Sequence, residues 1–204
     1  MNTTRKPLKV GITGGIGSGK TFVCELFRKL NVPVYNSDLR AKELMNSNEI
    51  IKNALVEIFG KNIYFENGSL NKQLLAEKIF ADKEALKFVN ETVHPQVAND
   101  FEKWCLQQNS PYILKEAAIL FESGANKQLD YVITIYVENQ VKMKRLALRE
   151  GFNQKDVENR MKQQISDIEK IQRANFVIVN FGTLLLPQIV GLDSKLCEIS
   201  KSRI

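Results

Sequence analysis

The residues best suited to chemistry lie near the start of the chain, in Gly14-Gly15-Ile16-Gly17-Ser18-Gly19-Lys20-Thr21. Gly14 and Gly19 frame four residues and are followed by Lys-Thr, which completes the pattern GxxxxGK[ST]. Glycines let successive backbone N–H groups turn inward around an anion, and a helix that starts at the same place adds its positive end. Lys20 supplies a point charge for the β- and γ-phosphates, and the Thr21 hydroxyl is an oxygen ligand suited to Mg²⁺. Gly15, Gly17, Ser18, Gly19, Lys20, Thr21 and Phe22 are therefore the candidate residues for holding the phosphates of ATP.

A phosphate loop implies a nucleoside triphosphate but not a reaction. Asn126-Lys127-Gln128-Leu129 lacks the acid of a guanine-reading NKxD, and no Asp has Gly three residues on, so a GTPase is excluded. A small kinase suits the chain length, and it needs a group that orients an acceptor hydroxyl. Asp38 follows the second expected strand, where a parallel neighbouring strand would bring it beside the loop. It could equally cap the helix that begins at Leu39.

Lys142, Arg145 and Arg149 share one helical face, which ends at Glu150-Gly151-Phe152. A flexible joint there would let a lid bring Arg145 onto the transferring phosphates. Arg160, with Asp156 at i−4, reads either as a second such arginine or as half of a helical ion pair. His94, before Pro95, is either a site residue or a turn residue. Cys24 and Trp104 read as core.

These residues need a frame. Leu8–Thr13, Val32–Tyr35, Tyr112–Leu114, Tyr131–Val137 and Phe176–Val179 read as strands. Apolar residues at helical spacing predict helices after the loop, after Asp38, over Ile50–Phe59 and Leu74–Phe80, and on either side of His94-Pro95, with Pro95 starting a new one. Further helices are expected over Lys142–Arg149, over Asp156–Lys170 and from Leu184 despite Pro187. Strands alternating with helices predict an α/β fold: a three-layer P-loop core on a mostly parallel sheet. The core is expected over residues 1–48 and 110–204, an inserted helical substrate subdomain over about 49–109 and a small lid over about 145–165.

Composition agrees with an enzyme of this kind. The 204 residues carry 29 Lys+Arg against 23 Asp+Glu, a net charge of +6 that suits either a solvated basic surface or a polyanionic ligand. Basic blocks interleaved with aromatics are absent, so no nucleic-acid partner is expected. No apolar run is long enough to span a membrane, and no secretory h-region is seen. Three separated cysteines and one histidine exclude a zinc site and a disulfide framework and predict a reducing, cytoplasmic setting.

Thr13-Gly14-Gly15-Ile16-Gly17-Ser18-Gly19-Lys20-Thr21 resembles the phosphate loop of dephospho-CoA kinases. The resemblance continues in order through Asn36-Ser37-Asp38, His94-Pro95, Ile119-Leu120-Phe121-Glu122, Arg145, Arg149, Arg160-Met161-x-x-Gln164 and Val177-Ile178-x-Asn180-x-Gly182. It implies phosphoryl transfer from ATP, with Mg²⁺, to the 3′-hydroxyl of 3′-dephospho-CoA by a cytoplasmic monomer or weak homo-oligomer. It further implies Asp38, Lys20 and Arg145 as catalytic residues. Asp38, His94 and Glu122 would meet the acceptor, Arg149 and Asn180 the nucleotide, and Thr21 the metal. Asn36, Ala118, Asn175 and Val179 depart from the family pattern. A monophosphate kinase and a non-catalytic nucleotide switch are the alternatives the residues alone leave open.

Overall fold

The computed structural model describes residues 6–148, 153–182 and 184–202. The chain forms two compact units. The first holds the chain up to Asn36 and again from Cys105; the second is Ser37–Trp104.

The first unit is built on five strands: β1 (Leu8–Gly14), β2 (Val34–Asn36), β3 (Tyr112–Glu116), β4 (Tyr131–Tyr136) and β5 (Phe176–Val179). Their order is β2-β3-β1-β4-β5 and every pairing is parallel. A parallel sheet is covered on both faces. Leu8, Val10 and Ile12 of β1 face a core with Val23, Cys24 and Phe27 of α1 (Lys20–Lys29) and Ile189 and Leu196 of α9 (Leu185–Ser202). On the other face, Gly11 lies under Leu120 and Leu129, where a Cβ would come within 2.6 Å of either side chain. Val132 packs there with Leu120, Phe121, Ile165 and Ala174. Three layers result, as expected, but β3 separates β2 from β1. The crossover through α1 skips one position, and β3 returns to fill it, so β2 is not the neighbour of the strand that carries the loop.

After β4 come α6 (Asn139–Ala147), α7 (Gln154–Lys162) and α8 (Asp167–Arg173). The single helix expected over Asp156–Lys170 is thus two. The break has a cause: the Ser166 hydroxyl accepts a hydrogen bond from Glu169 N–H at 3.1 Å and caps α8. In α9, Pro187 is the third helical residue, where its missing N–H leaves no intrahelical bond unmade. β5 is an edge strand. The Gln188 side chain pairs with it, accepting from Val179 N–H at 2.9 Å and donating to the Val179 carbonyl at 3.0 Å.

The second unit contains α2 (Ser37–Ser47), α3 (Glu49–Phe59), α4 (Lys72–Ala81) and α5 (Lys83–Cys105). It begins at Ser37 rather than near residue 49, because α2 is tied into it. Arg40 grips Asp100 of α5 with Nε and Nη2, at 3.0 and 2.7 Å. Tyr64 donates to the Met45 carbonyl, and Asn46 accepts from Leu70 N–H. Asn48 and Asn71 cap α3 and α4. Helix α5 runs through Pro95 without stopping, against the expected break. Interior proline costs about 3 kcal/mol. Val89, Val93, Val97 and Phe101, all buried at helical spacing, offset that cost by holding both halves to one core.

Candidate active site

β1 ends at Gly14, and α1 begins at Lys20 after a turn closed by Ser18 N–H donating to the Gly15 carbonyl at 3.1 Å. Gly19 is the N-cap, with φ 84°, and no side chain caps the helix. A left-handed residue is needed there, and a Cβ would lie 2.5 Å from Asn180 Nδ2. The first N–H groups of α1 are therefore left for an anion. Lys20 Nζ donates to the Gly14 carbonyl at 2.7 Å, which folds the ammonium back over the loop. Thr13 Oγ1 and Ser18 Oγ are buried with no hydrogen-bond partner among the described residues. Unpaired buried hydroxyls beside an uncapped helix start fit a phosphate group. Phe22 contributes a backbone N–H to that start, while its side chain is exposed.

An oxygen pair suited to a hard cation adjoins the loop. Thr21 Oγ1 donates to Glu116 Oε1 at 3.0 Å. Glu116 ends β3, is buried, and accepts from Asn36 Nδ2 on its other oxygen at 2.8 Å. Among the described residues no group of three His, Cys, Asp or Glu could hold a metal. The Thr21 and Glu116 oxygens are the groups that could hold Mg²⁺, which takes one or two protein oxygens and completes its shell with phosphate and water. Cys24 lies in the core beneath; burial and the nearby Glu116 carboxylate push its thiol pKa up, so it stays protonated.

The far side of the loop is closed by α6, β5 and the start of α8. Asn180 Nδ2 donates to the Ser18 carbonyl at 2.8 Å, and Arg145 Nη2 donates to the Asn180 carbonyl at 2.8 Å. Arg145 and Asn180 are thereby brought to Gly19. Lys142, buried, pairs with Asp167, and both would meet a Cβ on Gly15 within 2.9 Å. Gln164 Oε1 accepts from Ile16 N–H at 3.1 Å.

Glu122 is turned to the α8 side, accepting from Ile165 N–H at 2.9 Å and pairing with the buried Lys170 at 3.3 Å. Asp38 and His94 belong to the helical unit. Asp38 is exposed in the first turn of α2; because the helix begins at Ser37, Asp38 is not its cap. His94 is half-buried within α5, not in a turn. Arg149 lies outside the described residues, as does the side chain of Arg160.

Residues 8–185 match the family model described as dephospho-CoA kinase. The chain belongs to the dephospho-CoA kinase family. Within that family, the enzyme of Bacteroides fragilis is 37% identical over 187 residues, 91% of each chain. The dephospho-CoA kinase structure from Campylobacter jejuni superposes with a TM-score of 0.69 at 25% identity, covering 96% of this chain and 98% of that one. A crystal structure from Thermus thermophilus superposes with a TM-score of 0.79 at 30% identity, over 95% and 98% of the two chains. The chain is thus an ATP-dependent kinase of the dephospho-CoA kinase family. No described helix is long and apolar enough to cross a membrane.

Three polar residues of this kinase were not among the sequence candidates: Glu116, Gln164 as a contact of the loop, and Asp167. Glu116 had a signal, a lone acid closing the apolar strand Tyr112–Leu114 on the side where ligands gather. Gln164 and Asp167 sit in a polar stretch whose composition singles out neither.

Proposed function

We propose that this kinase transfers the γ-phosphoryl group of ATP to the 3′-hydroxyl of the ribose of 3′-dephospho-CoA. The observation that carries the reaction class is the convergence of Lys20, the Thr21–Glu116 oxygen pair and Arg145 on one phosphate-sized turn. The acceptor follows from the family.

In this reading the uncapped start of α1 and the N–H groups of the loop bind the β- and γ-phosphates. Lys20 supplies positive charge as negative charge develops on the transferring group. Thr21 and Glu116 would hold Mg²⁺, which would neutralise charge on the phosphates. Arg145, anchored through the Asn180 carbonyl, reaches the phosphoryl oxygens, and Arg149 adds a second guanidinium. Asp38 accepts the proton of the acceptor hydroxyl as its oxygen bonds to the γ-phosphorus. The bond from that phosphorus to the β–γ bridging oxygen breaks, and ADP leaves. The helical unit, with His94, binds the acceptor. Glu122, expected as an acceptor contact, instead orients the segment from Ile165 to Lys170. We read the enzyme as a cytoplasmic monomer or weak homo-oligomer that acts on small molecules.

Incubation with MgATP and, separately, dephospho-CoA, AMP, CMP or adenosine tests the acceptor, with phosphorus NMR locating the new ester. We expect transfer to the ribose 3′-oxygen of dephospho-CoA alone. Efficient transfer to AMP or CMP with none to dephospho-CoA overturns the assignment.

A further inference from the structure

Helix α6 and the segment between α7 and α8 are both fastened to the phosphate loop. Upstream, the Lys142 side chain, 6% exposed, pairs with Asp167 directly against Gly15: a Cβ there would lie 2.9 Å from Lys142 Nζ and 2.8 Å from Asp167 Oδ1. One turn later on α6, Leu146 lies over Gly17, where a Cβ would come within 3.1 Å of its Cγ. Downstream, Gln164 takes the Ile16 N–H at 3.1 Å and hands its own amide to the Ala118 carbonyl at 2.8 Å. Asp167 then opens α8.

An ion pair that buries one of its charges is a poor device for stability alone, since apolar residues of similar volume often hold two helices as well or better. A charged pair has direction that an apolar pair lacks, and here it abuts a loop residue with no side chain. The Ile16 N–H is a donor that must be satisfied, and Gln164 satisfies it from outside the loop. Lys142 precedes Arg145 by about one turn of α6, so the pair holds in place the helix from which Arg145 projects.

We propose that Lys142, Asp167 and Gln164 form a clasp that sets the loop at Gly15 and Ile16, α6 and the start of α8 in a single arrangement. All three are positioning residues: they keep the phosphates and Arg145 in register without touching the reacting atoms. The inference rests on the phosphoryl-transfer reading and deepens it. With the clasp open, the loop and α6 must be ordered by the nucleotide itself, and binding weakens.

The test compares wild type with Gln164→Ala and with the double variant Lys142→Met/Asp167→Leu. The double variant removes both charges together, so no buried ion is stranded as it would be by Asp167→Asn. Thermal midpoint, MgATP affinity by calorimetry, amide exchange at Ile16 and kcat with both substrates saturating are measured. We expect the double variant to melt within a few degrees of wild type while MgATP affinity falls about tenfold. Its kcat falls about 10²-fold, the cost of a misplacement on the order of 1 Å, with the acceptor KM unchanged. Gln164→Ala moves the same readouts less, and Ile16 exchanges faster. A folded double variant with wild-type affinity and kcat overturns the clasp, as does a loss that only tracks the melting point. If wild type binds MgATP but transfers nothing to dephospho-CoA, the acceptor assignment falls, and the clasp is judged on affinity and Ile16 exchange alone. If wild type binds no MgATP, both fall.

Discussion

The two units hold themselves together by different means. Among the described residues, the buried polar and charged side chains are Thr13, Ser18, Ser37, Lys115, Glu116, Thr134, Lys142, Lys170, Asn180 and Ser200, and only Ser37 belongs to the helical unit. In the sheet unit, Glu116, Lys142 and Asn180 offset the cost of their burial with directed contacts around one loop. The helical unit instead packs Ile51, Leu55, Ile63, Val93 and Phe101, places its polar side chains at helix ends and surfaces, and exposes Ile50, Ile58 and Phe80. Chemistry that must stabilise a transferring phosphoryl group needs fixed dipoles, and fixed dipoles need burial.

That contrast can be broken, most severely at the loop. Lys20→Ala should lower kcat by about 10³-fold or more, since it removes a charge aimed at the transferring group. The thermal midpoint should stay close to wild type, because Lys20 is half-exposed. Steady-state kinetics beside a melting curve check it, and near-wild-type kcat would remove Lys20 from the chemistry.

Asp38→Asn sharpens the comparison, since Asp38 lies in the helical unit. If it takes the acceptor's proton, kcat should fall by about 10²-fold while MgATP affinity is kept. Calorimetry with MgATP alone separates the two. Lost nucleotide affinity would move Asp38 into the work of the sheet unit.

The smallest effect belongs to the packing of the helical unit. Tyr64→Phe removes the hydrogen bond to the Met45 carbonyl and should cost about 1 kcal/mol of stability with turnover intact. Burial, aided by the Glu49 charge, raises the Tyr64 hydroxyl from 10.0 to about 12. The folded state keeps a proton that the unfolded state loses first, so this contribution is full below pH 10 and is lost as pH rises toward 12. Chemical denaturation across that window should show a shallower alkaline decline in the Phe variant.

The loop, its strand and its helix were legible because local rules write them: glycines where the backbone must turn, Lys-Thr at a helix start, apolar alternation before it. Strand order was not, because the gap that β3 fills is set by a partner about 80 residues away in the chain: Asn36 pairs with Glu116. Pro95 misled for a similar reason. The local preference to stop a helix is real, but Val89 and Phe101, on either side of it, are both buried, and burial outweighs it. The division between α7 and α8 depends on one serine hydroxyl, and Ser166 sits in a stretch whose composition is helical throughout. Arg145 was found from its helical face, whereas the group that aims it, the Asn180 carbonyl, emerges only when the end of β5 and α6 are folded against the loop.

The Gln188 amide, which pairs with both backbone groups of Val179, has a consequence outside catalysis. An uncovered edge strand offers its open N–H and C=O groups as a template for another chain. By imitating one residue of a sixth strand, Gln188 withdraws that template where β5 ends, so a concentrated solution of this enzyme meets one adhesive ribbon fewer.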